Sequence, residues 1–416
     1  MTEPNPIRPP SLLLSCMDPK AGAWERSLNA HRSEIEEIDW RWVLERARAH
    51  KLIGMLTARA LAAEVREDLP ETVQTELEGE REAGLAHRAR VARTLAEVRD
   101  RLAALKCPFL VVKGSAYAHD VYGDPTMRRF SDIDILIPHE MMEDVDRAFK
   151  EDGYYFWANP EIHNKLPRWF RRQAPPGEEP GSEAQARRIL EAFHRHHLYV
   201  LKEDDPRMHV EVHWHVFVPS EGRASAEDLW SETRSTSLEG IEVRTLDWEA
   251  SLLHAAVHAM EQAPTEYRLL HLADVAWMLG RWGEIVDPRK LQELARAWGL
   301  VPYLKAAVMA VERVLPQGLP EGAGRIWPHP GAHRRSIRGG LLSAAGFGPW
   351  IIDQQAAGGR GRRMAENAWR EGLWELALGR RPGTAWGRVI RTVQTRVPRG
   401  RAGGENEVAG PKGASG

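Results

Sequence analysis

Cysteine is almost absent from this chain. Only Cys16 and Cys107 occur in 416 residues, far apart and without metal-ligand spacing. That excludes a disulfide scaffold and points to a reduced, cytoplasmic setting. Long apolar runs are missing too: nothing approaches a membrane span, and Leu12-Leu13-Leu14 is too short for the core of a secretory signal. There is little charge of one sign. A formal net charge of −2 does not suit a protein that coats nucleic acid. What is present is a chain long enough for a large core, with two domains the default expectation. Its 16 tryptophans are scattered through helical stretches, as core packing would place them.

The most informative stretch is 108–137, PFLVVKGSAYAHDVYGDPTMRRFSDIDILI. Phe109-Leu110-Val111-Val112 has the length and β-branched content of a buried strand. Lys113-Gly114-Ser115 stands where that strand must stop, and Ala116 to Val121 reads as the start of a helix. A strand ending in Gly-Ser before a helix leaves backbone N–H groups free, which suits an anion such as phosphate. Ser131 to Ile137 reads as a second strand, and alternation puts Asp132 and Asp134 on one face and Ile133 and Ile135 on the other. Carboxylates about 7 Å apart along one strand can hold divalent metal against a triphosphate.

The string Lys113-Gly114-Ser115, Asp124-Pro125, Arg128 and Ser131-Asp132-Ile133-Asp134 resembles the signature of the DNA polymerase beta-like nucleotidyltransferases. It is most similar to their bacterial uncharacterised nucleotidyltransferase branch, and the likeness spans roughly residues 11–310. The resemblance implies an α+β fold, a small mixed sheet flanked by N-terminal and C-terminal helical segments. It also implies metal-dependent transfer of a nucleoside monophosphate from a triphosphate, with ATP the first candidate, to an unspecified acceptor, releasing pyrophosphate. Asp132, Asp134 and Glu211 would then position Mg²⁺ or Mn²⁺. Lys113, Gly114 and Ser115 would meet the nucleotide, with Arg128 on the leaving pyrophosphate. Other readings stay open: a catalytically silent nucleotide-binding or scaffold module, or an enzyme that modifies proteins.

Taken in order, 1–10 is Pro-rich and expected to be disordered, and 11–106 is a helical leader. Within it Asp39 caps a helix carrying Trp40, Val43, Leu44 and Ala47, and Val91, Leu95, Val98, Leu102 and Leu105 stripe a longer one. The leader is expected to cover one side of the sheet. The catalytic core is expected over 107–246, with a helix after Pro138, a strand from Tyr154, and an irregular insertion over 158–195. Arg168, Arg171 and Arg172 in that insertion read as a solvated basic loop rather than a phosphate grip.

Strands are expected at His197–Leu201 and Met208–Trp214, the latter with His209, Glu211 and His213 on one face. An acid and two histidines on one face could equally hold zinc. A short strand at Ile241–Thr245 precedes a helical domain over 247–315, where Asp247 caps a helix with His254 and His258 one turn apart. That His-Ala-Ala-Val-His lacks the glutamate of a metalloprotease helix. The resemblance places His213, His254, His258 and Asp274 toward the acceptor; a buried hydrogen-bonded network is the competing reading for the last three. Residues 316–416 are rich in Gly, Pro and Arg, with an amphipathic helix expected over 363–379.

Residues 398–416 hold almost nothing to bury, so they can offset little ordering entropy. Their deletion is expected to leave the melting temperature within about 4 °C of the full chain. A larger drop in a thermal melt means that the tail docks.

Overall fold

Alternation along the central strands sets the architecture. A computed structural model describes residues 7–64, 66–156, 187, 196–201, 205–217, 222–261, 269–283, 285–315, 317–320 and 323–326. The expected basic loop at Arg168, Arg171 and Arg172, the helix over 363–379 and the tail lie outside them. A five-stranded mixed sheet forms from β1 (Leu110–Val112), β2 (Asp132–Leu136), β3 (Tyr155–Phe156), β4 (His196–Val200) and β5 (His209–His213), in the order β1-β2-β5-β4-β3. Within this sheet, among the described residues, only the β2–β5 pairing is parallel. Val111, Ile133, Ile135, Val210 and Val212 point to one face, where they pack on the long helix through Val91, Leu95, Val98 and Leu102 and on a second helix through Val145 and Phe149.

Thirteen helical segments are named here in chain order among the described residues, beginning with the leader: α1 (Pro10–Cys16), α2 (Ala23–Asn29), α3 (Trp40–Ala49), α4 (Ile53–Ala62) and the long α5 (Glu71–Ala104). Asp39 caps α3 by accepting from the Trp42 N–H at 3.0 Å. Residues 7–10, within the stretch expected to be disordered, are ordered. Ile7 pairs with Ile38, donating to the Glu37 carbonyl and accepting from the Asp39 N–H, and Pro10 opens α1. Within the core come α6 (Lys113–Asp120), α7 (Met142–Glu151) and α8 (Ala226–Ser231). The last group is α9 (Trp248–Glu261), α10 (Leu269–Arg281), α11 (Pro288–Ala297), α12 (Val301–Val314) and α13 (Ala323–Ile326). No helix among the described residues is long and apolar enough to cross a membrane.

The leader divides its work. The C-terminal half of α5 covers the sheet, as expected, but α1–α4 share one hydrophobic core with α9–α12. Close approach explains how two leader helices meet the Asp124–Met127 turn. A Cβ on Gly54 of α4 would lie 2.4 Å from the Thr126 carbonyl, and one on Gly84 of α5 would lie 3.3 Å from Thr126 Cβ. The Asp124–Met127 turn is therefore clamped between two helices that only glycine lets this near.

Strand β6 (Thr233–Leu238) is an addition to what the sequence suggested; it pairs antiparallel with β7 (Ile241–Leu246). Their turn is tied down by Glu239, which accepts from Arg88 Nε and Nη2 of α5, both at 2.9 Å, and lies 3.1 Å from His119 of α6.

Arg128 and Asp274 join the segment after the Asp124–Met127 turn to α10. Arg128 Nε and Nη2 donate to the two Asp274 oxygens at 3.0 and 2.8 Å, the Tyr122 hydroxyl donates to the same carboxylate at 2.8 Å, and both charged groups are buried. Removing one member of such a pair strands the other charge in a dry site. Asp274→Asn is therefore expected to lower unfolding free energy by roughly 3 kcal/mol, whereas the apolar double variant Arg128→Met/Asp274→Leu loses less. Urea denaturation measures both, and an Asp274→Asn cost below that of the double variant contradicts this account.

Candidate active site

Strand register builds the site. Val112 at the end of β1 stands opposite Asp134 on β2, and Asp134 is in register with Glu211 on β5. His213, two residues on, falls on the same face, and antiparallel β4 sets His196 opposite it. Three adjacent strands, β2, β5 and β4, thus line up a row of ionisable groups. The ligand atoms of Asp134, Glu211 and His213 all lie within 4.8 Å of one another.

Lys113 closes the row from the β1 side. Its backbone is left-handed, with φ 53°, an uncommon state for a residue with a side chain. The chain there turns straight from strand into α6, so the first helical turn is Lys113-Gly114-Ser115 and not Ala116 onward. The ammonium lies 2.7 Å from Asp134 Oδ1, 3.2 Å from Glu211 Oε2 and 3.2 Å from His213 Nε2. His213 Nε2 is also 2.9 Å from Asp134 Oδ1, and His196 Nε2 is 3.0 Å from Glu211 Oε1. His196 escaped the sequence analysis. The signal was there in the alternation of His196-His197-Leu198, but its relevance depends on a cross-strand partner that a single strand does not reveal.

Burial and charge divide the two acids. Burial raises the Asp134 carboxyl to about 6 against the opposing pull of Lys113, with Glu211 adding to the rise. Burial would raise Glu211 as well, but Lys113, His213 and His196 together hold it well below the ordinary carboxylate range. For His213, burial and the Lys113 charge favour the neutral ring. Glu211 and Asp134 outweigh them, and the imidazole ends above its usual value.

The other expected site residues are placed as follows. Asp132 stands at the outer end of β2, in register with His209, half-buried and accepting from the Ser131 hydroxyl at 2.9 Å. Ser115 is buried, and its hydroxyl donates to the Val112 carbonyl at 3.4 Å. Beside Gly114 there is no room for a side chain: a Cβ would meet Arg128 Nη1 at 2.5 Å and the Phe130 side chain at 3.1 Å. Arg128 braces this corner from inside the protein, and reaching a pyrophosphate would require it to leave Asp274.

On α9, buried His254 has Nδ1 3.3 Å from the Tyr117 hydroxyl, and His258 packs edge-on against His271 with ring centres 4.4 Å apart. Burial first, and then the nearby Lys113, His213 and His215, hold the His254 imidazole well below its ordinary range. The unfolded chain takes up a proton at this group near pH 6.5 while the folded one does not. The stability His254 preserves is therefore present above that value and is lost as pH falls below it. His254→Gln should flatten the decline in melting temperature between pH 7 and pH 5; an unchanged slope would exclude a neutral buried imidazole.

Against known proteins, a model of the uncharacterised nucleotidyltransferase family matches residues 36–316. No curated protein matches the chain. Among solved structures there is a weak likeness to the solution structure of the antibiotic-resistance factor ANT(2'')-Ia, at 13% identity and a TM-score of 0.30, covering 49% of this chain and 89% of that one. With the family match running from the leader through the sheet to the end of the helical half, this chain belongs to the uncharacterised nucleotidyltransferase family.

Proposed function

We propose that this protein moves a nucleoside monophosphate from a nucleoside triphosphate, ATP first among them, to a hydroxyl on an acceptor, with release of pyrophosphate. The observation that carries this reading is the cross-strand meeting of Asp134, Glu211 and His213 beside the strand-to-helix turn at Lys113, in a chain of this family. Two carboxylates and an imidazole within 4.8 Å fit a divalent cation. A majority of oxygen donors suits Mg²⁺ or Mn²⁺ better than zinc. Asp134 and Glu211 would hold it, with His213 beside them and Asp132 reaching in from the mouth. When bound, such a cation neutralises phosphate charge and favours in-line attack on phosphorus.

The chain's own groups have separate tasks. Glu211 is oriented from both sides, by His196 at one oxygen and by Lys113 and His213 at the other. Ser115 and the first turn of α6 present backbone N–H groups for the terminal phosphates. Arg128 holds the Gly114 corner against α10 so that this turn keeps its shape. One observation favours a silent nucleotide-holding scaffold instead: Lys113 already supplies a positive charge among the acids.

Glu211→Gln separates the two readings. It is expected to lower turnover by at least about a hundredfold, a larger factor than its loss of Mg²⁺–nucleotide affinity. Pyrophosphate release with a mixture of hydroxyl acceptors, beside calorimetric nucleotide titration, reads both quantities. Full turnover in the variant moves the third carboxylate elsewhere, and no release by the wild type with any acceptor supports the scaffold.

A further inference from the structure

One ammonium touches all three of the groups whose ligand atoms meet at the candidate cation position. Lys113 Nζ contacts Asp134, Glu211 and His213 at 2.7, 3.2 and 3.2 Å, so it stands at the point on which their donor atoms converge. A metal ion and an ammonium cannot share that point, because like charges in contact at low dielectric repel strongly. We propose that Lys113 is a built-in competitor for the metal. In the ligand-free protein its ammonium holds the cation position, and a metal–triphosphate gains the acids by displacing it toward the phosphates. This inference rests on the nucleotidyltransferase reading of the same site.

Charge balance supplies the logic. Two ionised carboxylates and one ammonium leave a net charge of −1, which a divalent cation in place of the ammonium brings to zero. The displaced lysine, however, loses both of its anionic partners at once. A bare metal ion offers it no replacement, whereas a triphosphate does. Metal and nucleotide are therefore coupled through one side chain: each is bound better with the other present. The left-handed backbone at Lys113 suits the role, since it starts the helix at the lysine and swings the side chain back across the sheet. A lysine serving only as a structural ion pair would have a different signature. Its removal would lower stability and leave the coupling between metal and nucleotide as it is in the wild type.

The test is Mn²⁺ titration of the full-length protein, followed by the electron paramagnetic resonance signal of free Mn²⁺, with no nucleotide present. Lys113→Gln and Lys113→Gly are compared with the wild type; glycine accepts the left-handed backbone and guards against misfolding. If the ammonium holds the site about nine-tenths of the time, both variants bind Mn²⁺ at least about tenfold tighter than the wild type. Lys113→Gln/Glu211→Gln loses that gain, and Mn²⁺ raises the melting temperature of each single variant by more than that of the wild type. Equal or weaker Mn²⁺ affinity in both single variants, with the wild type still binding Mn²⁺ and a non-hydrolysable triphosphate together, overturns the competitor role alone. Absence of Mn²⁺ binding to every form, with or without the triphosphate, overturns the metal site and the competitor with it.

Discussion

Two carboxylates in register on adjacent strands are the constraint from which the rest of this structure follows. Parallel pairing of β2 with β5 brings Asp134 and Glu211 to within one strand spacing, about 4.8 Å between backbones. Both lie largely out of water, where like charges repel far more than at a surface. Such a pair persists only with a cation between its members. Lys113 provides one from the start of α6, and His213 and His196 add donors from the same face. The two acids respond differently because their neighbours differ: Asp134 is driven up by burial, while Glu211, ringed by three basic groups, is held down.

Keeping that ammonium in place calls for a rigid corner. Gly114 allows Arg128 and Phe130 to press against the backbone just after Lys113, and Arg128 is in turn fixed by Asp274 and Tyr122. The Asp124–Met127 turn ahead of Arg128 is gripped by α4 and α5 through two glycines. At the other end of α6, Asp120 is held by Arg234 and by the Thr236 hydroxyl of β6, and His119 by Glu239. The helical segments on either side of the sheet thus form one scaffold around the strand-to-helix turn. This explains why the leader and the C-terminal helices share a core although more than a hundred residues separate them.

Legibility in the sequence varied with how local the cause was. The Asp39 cap, the α5 stripe and the alternation of Ile133 and Ile135 with Asp132 and Asp134 are short-range patterns, and each reappears in the fold. Strand β6 escaped because Thr-Arg-Ser-Thr-Ser has no apolar alternation; it is a strand only because β7 pairs with it along its whole length. The order of the N-terminus was hidden for a similar reason. Ile7 gains its backbone partners from Glu37 and Asp39, thirty residues on.

By itself the sequence determined the acids on one strand face, the second acid-and-histidine strand and the strand–turn–helix motif, because periodicity and residue type act over a few residues, whereas the small mixed sheet was implied only by the family resemblance. Only the tertiary structure decided which of those groups meet. Register between β2 and β5 paired Glu211 with Asp134 and left Asp132 at the mouth, and β4 brought His196 into the row. Burial against α10 turned Arg128 from a free cation into a brace, and a left-handed residue aimed Lys113 at the carboxylates. These outcomes depend on distances between segments far apart in the chain, where hydrogen-bond register and packing, rather than local pattern, set the geometry.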